Sequence, residues 1–190
     1  ACLGVPAAHA DFTFGTRVNP GAVFERSDWV GCLSYDGLEM YLTSYRPGGY
    51  GDTDLWVLKR TSPEADWAPA ENLGPAINTP YTDVNPSISK DGLTLFFESN
   101  RTGGYGSWDI YRTTRTTRSD PWGMAVLVPP QVNRTGASAS DGEPWLSPDG
   151  LELYFNSYRS GGYGKSDVWV ARRATATDTW SAPVNISLPV

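Results

Sequence analysis

The side chains of this chain that could take part in chemistry are carboxylates, guanidinium groups and aromatic rings. His9 is the only histidine, and it precedes all the repeated segments, so neither a Ser-His-Asp nor a Cys-His arrangement is available. The same scarcity excludes metal sites built on histidine and cysteine clusters, and we expect neither a metal nor a cofactor. The alternative is a calcium site of carboxylates and carbonyls near the opening aspartates, although no known calcium-loop pattern is present. Two facing carboxylates could still cleave a glycosidic bond, and Glu143 beside Asp141, with Asp83 opposite, is the candidate group.

The composition favours an all-β protein. The sequence has 20 glycines and 15 prolines, which favours many turns over long helices. No window places apolar residues at helical spacing over several turns, and the aromatic and β-branched runs are short, as in strands. The net charge of −6 argues against a nucleic-acid partner, because phosphate binding needs a basic surface. No apolar run reaches the length of a transmembrane segment.

One repeated unit organises the chain. Three segments align without a gap, at residues 28–67, 83–122 and 141–180. Each contains an Asp-Gly pair, a run that ends in Ser-x-Arg, the tetrapeptide Gly-Gly-Tyr-Gly, a second aspartate and a closing tryptophan. Self-similarity at a fixed period is typical of repeat architectures.

Each unit predicts four short antiparallel strands. The Asp-Gly pair makes a tight turn, because both residue types tolerate a positive φ. In the second strand of the middle unit, Leu95 and Phe97 share one face while Phe96 and Glu98 share the other. A sheet with large apolar residues on both faces needs another sheet on each side, which radial stacking supplies. The sequence therefore predicts an all-β propeller with three four-stranded antiparallel blades in the chain.

The pattern of the unit resembles a known family. Residues 86–111 have the pattern P-x-x-S-x-D-G-x-x-x-x-F-x-S-x-R-x-G-G-Y-G-x-x-D-I-Y, which is similar to the WD-like β-propeller repeat of the TolB type. The resemblance covers residues 28–190, and the chain departs from it at Gly31 and Tyr35 and in having only three units. The resemblance implies an exported bacterial propeller that binds partner proteins or glycans.

Three blades are too few to close a propeller, which typically has about four to eight. We therefore expect either a homo-oligomer, in which two half-propellers make a six-bladed ring, or further blades on the remainder of a larger chain. Residues 12–19 resemble residues 71–78 and could latch a neighbouring subunit by strand addition. The expected segments are a leader or arm at 1–11, a strand-like segment at 12–27, and blades at 28–82, 83–140 and 141–190.

The N-terminal residues bear on location. Ala8-His9-Ala10 is similar to the end of a secretory signal, and together with the resemblance it favours an extracytoplasmic location, whether secreted, periplasmic or at the cell surface. The alternatives are a lipoprotein processing site at Cys2 and a disordered leader. In an exported protein Cys2 and Cys32 could form a disulfide, or they could be two unrelated thiols.

By topology, the repeated polar residues gather at one end of the blades, here called the top. They are Asp28, Asp83, Asp141, Arg46, Arg101, Arg159, Tyr50, Tyr105, Tyr163, Asp54, Asp109 and Asp167. Because they are present in every unit, we expect them to hold the scaffold: each arginine pairs with the second aspartate, while the opening aspartate accepts backbone N–H groups. The closing residues Trp67, Trp122 and Trp180 are expected to pack the blades.

Ligand specificity is expected from top-face positions that differ between units. They are Trp29, Tyr45, Asn85, Asn100, Trp108, Glu143 and Tyr158. Carboxylates, guanidinium groups and aromatic rings around a funnel could bind sugars or a peptide segment, with Trp29 and Trp108 as stacking residues. The sequence predicts a binding module for a glycan or protein ligand. The alternatives are a structural protein that polymerises through blade edges and its N-terminal arm, and a glycoside-cleaving enzyme.

Overall fold

The three repeats fold as three four-stranded sheets. The computed structural model describes residues 23–186, and this part of the chain contains twelve strands and no helix long and apolar enough to cross a membrane. Strands that are neighbours in sequence pair antiparallel within each blade. The predicted architecture of three four-stranded blades is confirmed.

The strand bounds repeat from blade to blade. Blade 1 consists of β1 (Asp28–Leu33), β2 (Glu39–Ser44), β3 (Asp54–Lys59) and β4 (Glu71–Asn72). Blade 2 consists of β5 (Asp83–Ile88), β6 (Thr94–Ser99), β7 (Asp109–Thr114) and β8 (Val126–Leu127). Blade 3 consists of β9 (Asp141–Leu146), β10 (Glu152–Ser157), β11 (Asp167–Arg172) and β12 (Val184–Asn185).

The Asp-Gly pairs make the turns between the first two strands of each blade. In blade 2, Gly92 has a φ of 75°, a conformation that glycine adopts without steric cost. The carboxylate of Asp91 accepts hydrogen bonds from the Ser89 hydroxyl at 2.6 Å and from the Leu93 amide at 2.9 Å. The Asp91 side chain therefore provides a hydrogen-bond acceptor for the turn backbone, which is why an Asp-Gly pair precedes the second strand of each blade.

The blades stack through two apolar cores, and β6 shows how. Leu95 and Phe97 point into the core shared with blade 1, whereas Phe96 points into the core shared with blade 3. All three side chains are fully buried. The alternation predicted for this strand is confirmed. The closing tryptophans also pack as predicted: Trp122 and Trp180 border the two interblade cores, and Trp67 packs on the other face of blade 1.

Cys32 is the one cysteine among the described residues, so its pairing with Cys2 stays a prediction. Cys32 lies on β1, and burial raises the pKa of its thiol to about 12. Cys2 lies outside the described residues, as do the leader at 1–11 and most of the strand-like segment at 12–27.

Candidate functional site

The top of each blade is braced by an arginine that pairs with the opening aspartate. The guanidinium of Arg101 lies 2.5 Å from Asp83, and that of Arg159 lies 2.7 Å from Asp141; Arg46 pairs with Asp28 in the same way. Asp83 and Asp141 are fully buried. The predicted pairing of the arginine with the second aspartate is therefore wrong.

The second aspartate holds the glycine loop. Asp54 accepts a hydrogen bond from the Tyr50 amide at 2.5 Å, and Asp109 accepts one from the Gly106 amide at 3.0 Å. In blade 3 the amide of Tyr163 donates to Asp167 at 3.0 Å. The opening aspartate faces the arginine across the first two strands and also accepts backbone N–H groups, as predicted: Asp83 accepts the Thr79 amide at 2.7 Å and Asp141 accepts the Arg134 amide at 2.6 Å.

The innermost strands of blades 2 and 3 carry a bulge near the top. The pairing register shifts between Val84 and Ser87 in blade 2 and at the matching place in blade 3. The bulges leave Asn85 with a φ of 55° and Glu143 with a φ of 50°. Asparagine tolerates this left-handed region, but glutamate rarely adopts it. Strained residues of this kind cluster at functional sites, so the bulges mark where a site is expected.

Glu98 joins the two bulges. It lies on β6, and its carboxylate oxygen Oε2 accepts hydrogen bonds from the side-chain amide of Asn85 at 2.8 Å and from the backbone amide of Glu143 at 3.0 Å. Asn156 on β10 in turn donates to the Glu143 carboxylate. A Cβ atom on Gly142 would lie 2.3 Å from the Glu98 carboxylate carbon. The Glu98 carboxylate therefore occupies the space that a side chain at position 142 would need.

The two carboxylates have different electrostatic surroundings. Burial raises the pKa of Glu98 above its usual value, the hydrogen bonds from Asn85 and Glu143 oppose this only in part, and the negative charge of Glu143 raises it further. Glu143 is exposed. A half-buried carboxyl group with a raised pKa therefore lies next to an exposed carboxyl group at one place.

A small open cavity lies over this cluster. Its volume is about 170 Å³, and Glu98, Glu143 and Asn156 line it together with Trp108 and Tyr158. Tyr158 is 55% exposed, and Trp108 is half-buried. The cavity thus combines carboxylate and amide groups with two aromatic rings, within reach of a ligand about the size of one sugar ring.

The other predicted site residues lie elsewhere on the top face. Trp29 and Tyr45 form an exposed aromatic pair on blade 1, with ring centroids 5.5 Å apart. Asn100 uses its side-chain oxygen to accept the Thr82 amide at 2.9 Å, which is a scaffold contact. Four of the predicted residues therefore come together around Glu98: Asn85, Trp108, Glu143 and Tyr158.

Two residues of the cluster, Glu98 and Asn156, were not among the predicted site residues. With Thr43 they occupy one position of the repeat, the only polar one between the two polar ends of the second strand, and that pattern is the signal that could have found them. The acids that the sequence placed beside Glu143 do not take part. Asp83 and Asp141 are buried in ion pairs with arginines, and Glu98 is the carboxylate that meets Glu143.

Comparison with solved structures identifies the architecture. TolB from Acinetobacter baumannii matches with a TM-score of 0.52 at 15% identity, over 82% of this chain and 31% of that protein. The chain folds as three blades of a β-propeller. An endo-arabinase from Bacteroides thetaiotaomicron (TM-score 0.56, 16% identity, 79% of this chain and 58% of that one) has the same propeller architecture. So does an α-L-arabinanase from Penicillium chrysogenum, complexed with arabinobiose (TM-score 0.50, 11% identity, 83% and 48%).

These likenesses establish the propeller fold, and with it the predicted resemblance to TolB-type propellers at the level of fold. The chain spans between 31% and 58% of the length of these three proteins. No protein-family model matches the sequence, and no curated protein matches it.

Proposed function

We propose that this propeller segment binds carbohydrate in the cavity over Glu98 and Glu143. The observation that carries the proposal is the cluster itself: two carboxylates and the Asn156 amide, joined by hydrogen bonds across blades 2 and 3, beside two aromatic rings. Sugars present hydroxyl groups that both donate and accept hydrogen bonds, and their C–H faces pack on aromatic rings.

Each residue has a distinct role in this proposal. The exposed Glu143 carboxylate accepts sugar hydroxyl groups, and Tyr158 and Trp108 pack against the ring. Glu98 acts through Glu143, because it holds the backbone of the bulge in place. The Trp29–Tyr45 pair on blade 1 supplies a second exposed aromatic surface for a longer chain of sugars.

Two further points support the proposal. A protein with this fold was solved with arabinobiose, so the architecture can hold a disaccharide. The sequence Ala8-His9-Ala10 favours export, and we propose an extracytoplasmic location, where polysaccharides are accessible.

Binding to a panel of soluble oligosaccharides, arabinose oligomers included, followed by calorimetric titration, tests the proposal. Trp108→Ala is expected to weaken binding by about two- to tenfold, since an aromatic stacking contact contributes about 0.5–1.5 kcal/mol. Tyr163→Ala is the matched control, because this ring is also exposed on the top face but lies outside the cavity. The proposal would be contradicted if no saccharide of the panel bound saturably, or if Trp108→Ala and Tyr163→Ala lost equal amounts of affinity.

Glycoside cleavage is the second candidate, favoured by one observation. Glu98 has a raised pKa beside an exposed Glu143, and glycosidases use a protonated acid and an ionised carboxylate. Glu98 would protonate the leaving oxygen, and Glu143 would act on the opposite side as base or nucleophile. Release of reducing ends that both Glu98→Gln and Glu143→Gln abolish would establish cleavage. If the protein binds saccharide but does not cleave it, the function is carbohydrate binding and not glycoside cleavage.

A further inference from the structure

The interface between blades 1 and 2 shows how one blade recognises the next. Glu39 of blade 1 accepts hydrogen bonds from Arg115 of blade 2, at 2.7 Å and 3.2 Å, and from the hydroxyl of Tyr41 at 3.0 Å. The guanidinium of Arg115 lies over Trp122 at 4.4 Å, and Trp122 meets Tyr41 edge-on, with ring centroids 6.3 Å apart. A Glu-Tyr pair on one blade thus receives an Arg-Trp pair on the following blade.

Blade 3 carries the same Glu-Tyr pair on the face that points away from blade 2. Glu152 and Tyr154 occupy the positions of Glu39 and Tyr41 in the repeat, and the Tyr154 hydroxyl donates to Glu152 Oε2 at 2.5 Å. The other carboxylate oxygen, Oε1, accepts a hydrogen bond from Arg172 of the same blade at 2.7 Å, so an incoming arginine would share Glu152 with Arg172. Within residues 23–186 no blade follows this face. Trp145, which pairs with Tyr154 across the sheet, is 51% exposed. Blade 3 therefore presents the first half of an interface without the second half.

Blade 1 carries the matching Arg-Trp pair on its own outward face. Arg60 lies over Trp67 at 4.3 Å and donates through Nε to the Gly37 carbonyl oxygen at 2.7 Å, as Arg115 does to Gly92 at 2.8 Å. The terminal nitrogens of Arg60, unlike those of Arg115, make no hydrogen bond or ion pair with any described residue. An open cavity of about 310 Å³ lies beside Arg60 and Trp67.

We propose that blade 3 of one chain docks onto blade 1 of a second copy, with Glu152 on Arg60 and Tyr154 against Trp67. The two halves have complementary charge, and the chain already uses the same residue types in the same register at its own blade 1–blade 2 interface. Two copies that meet through two such head-to-tail contacts close a ring of six blades, within the range of about four to eight in which propellers close.

The apolar part of the blade 1 face is compatible with this docking. Val23 and Phe24 pack against Leu42 and Trp56 there. Ile77, in the segment that links blades 1 and 2, packs into the core between those two blades in a comparable way. The segment before β1 thus takes the place of an interblade linker, and the Arg60–Trp67 rim remains available to the incoming Glu152.

Charge reversal tests the contact. We expect the 190-residue chain to have a dimeric mass by light scattering at about 10 µM. Arg60→Glu opposes two carboxylates and Glu152→Arg opposes two guanidinium groups, so each variant should dissociate about 100-fold more readily. When the two variants are mixed, both contacts become matched and the dimer should return. Lys165→Glu, an exposed charge outside the contact, is the control and should stay dimeric.

Three results would overturn the proposal. A monomeric wild type would mean that further blades or another partner cover the outward face of blade 3, and masses well above a dimer would mean open polymers. A dimer that neither charge reversal weakens would show that Arg60 and Glu152 do not form the contact. Arg60 also donates a hydrogen bond to the Gly37 carbonyl oxygen in the Asp-Gly turn of its own blade. Thermal unfolding must therefore show that Arg60→Glu is folded. If it is not folded, Glu152→Gln decides the question, because Glu152 is half-buried and also pairs with Arg172, so Glu152→Arg would oppose two guanidinium groups within blade 3 as well.

Discussion

The carboxylate of Glu98 in blade 2 accepts the backbone amide of Glu143 in blade 3 at 3.0 Å. This contact joins residues that are 45 positions apart in the sequence, and it fixes the strained bulge on which Glu143 is presented. It makes the cluster a feature of the stacked blades and not of any single repeat.

Glu98→Gln is expected to stabilise the fold at neutral pH. The pKa of Glu98 is raised in the folded state, so the folded protein holds a proton that the unfolded chain releases, and Glu98 lowers stability as the pH rises above about 4.5. Glutamine keeps an acceptor for Asn85 and for the Glu143 amide without a charge. We expect a gain of roughly 1 kcal/mol in the free energy of unfolding at neutral pH.

Urea denaturation at about five pH values between pH 4 and pH 8 measures how the free energy of unfolding depends on pH. The variant should show a flatter dependence of stability on pH than the wild type. Glu64→Gln, at an exposed position, is the control and should change the free energy of unfolding by no more than about 0.5 kcal/mol. A Glu98→Gln variant less stable than wild type at neutral pH would show that the carboxylate is needed as a charge.

Glu143→Gly should be more stable than Glu143→Ala, although alanine normally costs less than glycine in a strand. The backbone at this position has a φ of 50°, which glycine adopts freely and alanine does not. We expect a difference of about 1 kcal/mol in favour of glycine, measured by chemical denaturation. Both variants lack the carboxylate and should lose saccharide binding alike. Equal stability of the two variants would mean that the bulge relaxes.

Gly142→Ala is expected to disrupt the cluster without unfolding the protein. The new Cβ atom would lie 2.3 Å from the Glu98 carboxylate carbon, and Glu98 must leave its hydrogen bonds with Asn85 and Glu143. We expect a stability loss of about 1–3 kcal/mol and a loss of ligand affinity. Gly164→Ala is the control, because its nearest neighbour would lie 3.8 Å away. Unchanged binding by Gly142→Ala would remove Glu98 from the proposed site.

Glu39→Gln should weaken the contact between blades 1 and 2, most clearly away from acid pH. Burial would raise the pKa of Glu39, but the hydrogen bonds and charge of Arg115, with smaller contributions from Tyr41 and Arg118, outweigh it and hold the pKa below 4.5. The ion pair therefore stabilises the fold above about pH 4.5, and this stabilisation is lost as the pH falls. We expect a loss of roughly 2–4 kcal/mol at neutral pH, since a buried cation is left unpaired.

Thermal unfolding at neutral and acid pH separates this effect from a general loss of stability. The difference between wild type and Glu39→Gln should shrink as the pH falls. Glu71→Gln removes an exposed ion pair with Lys59 and should cost no more than about 1 kcal/mol at any pH. A constant difference across the pH range would contradict the role of the Glu39 charge.

The sequence by itself determined the blades. Asp-Gly turns, alternating strands such as Leu95–Phe96–Phe97 and the closing tryptophans are local features, because turn chemistry and side-chain alternation depend on neighbouring residues. Strands, turns and the two apolar faces were therefore predicted correctly from the repeat. The same repetition placed Glu143 and Trp108 at the top of the propeller.

Only the tertiary structure decided which polar groups meet. The two aspartates of each unit lie near the same arginine, so spacing alone did not show that Arg101 pairs with Asp83 and not with Asp109. The positive φ of Glu143 and its contact with Glu98 arise where one blade packs on the next. Such contacts depend on the distance and angle between sheets, which are set by the packing of the whole core and not by any local run of residues.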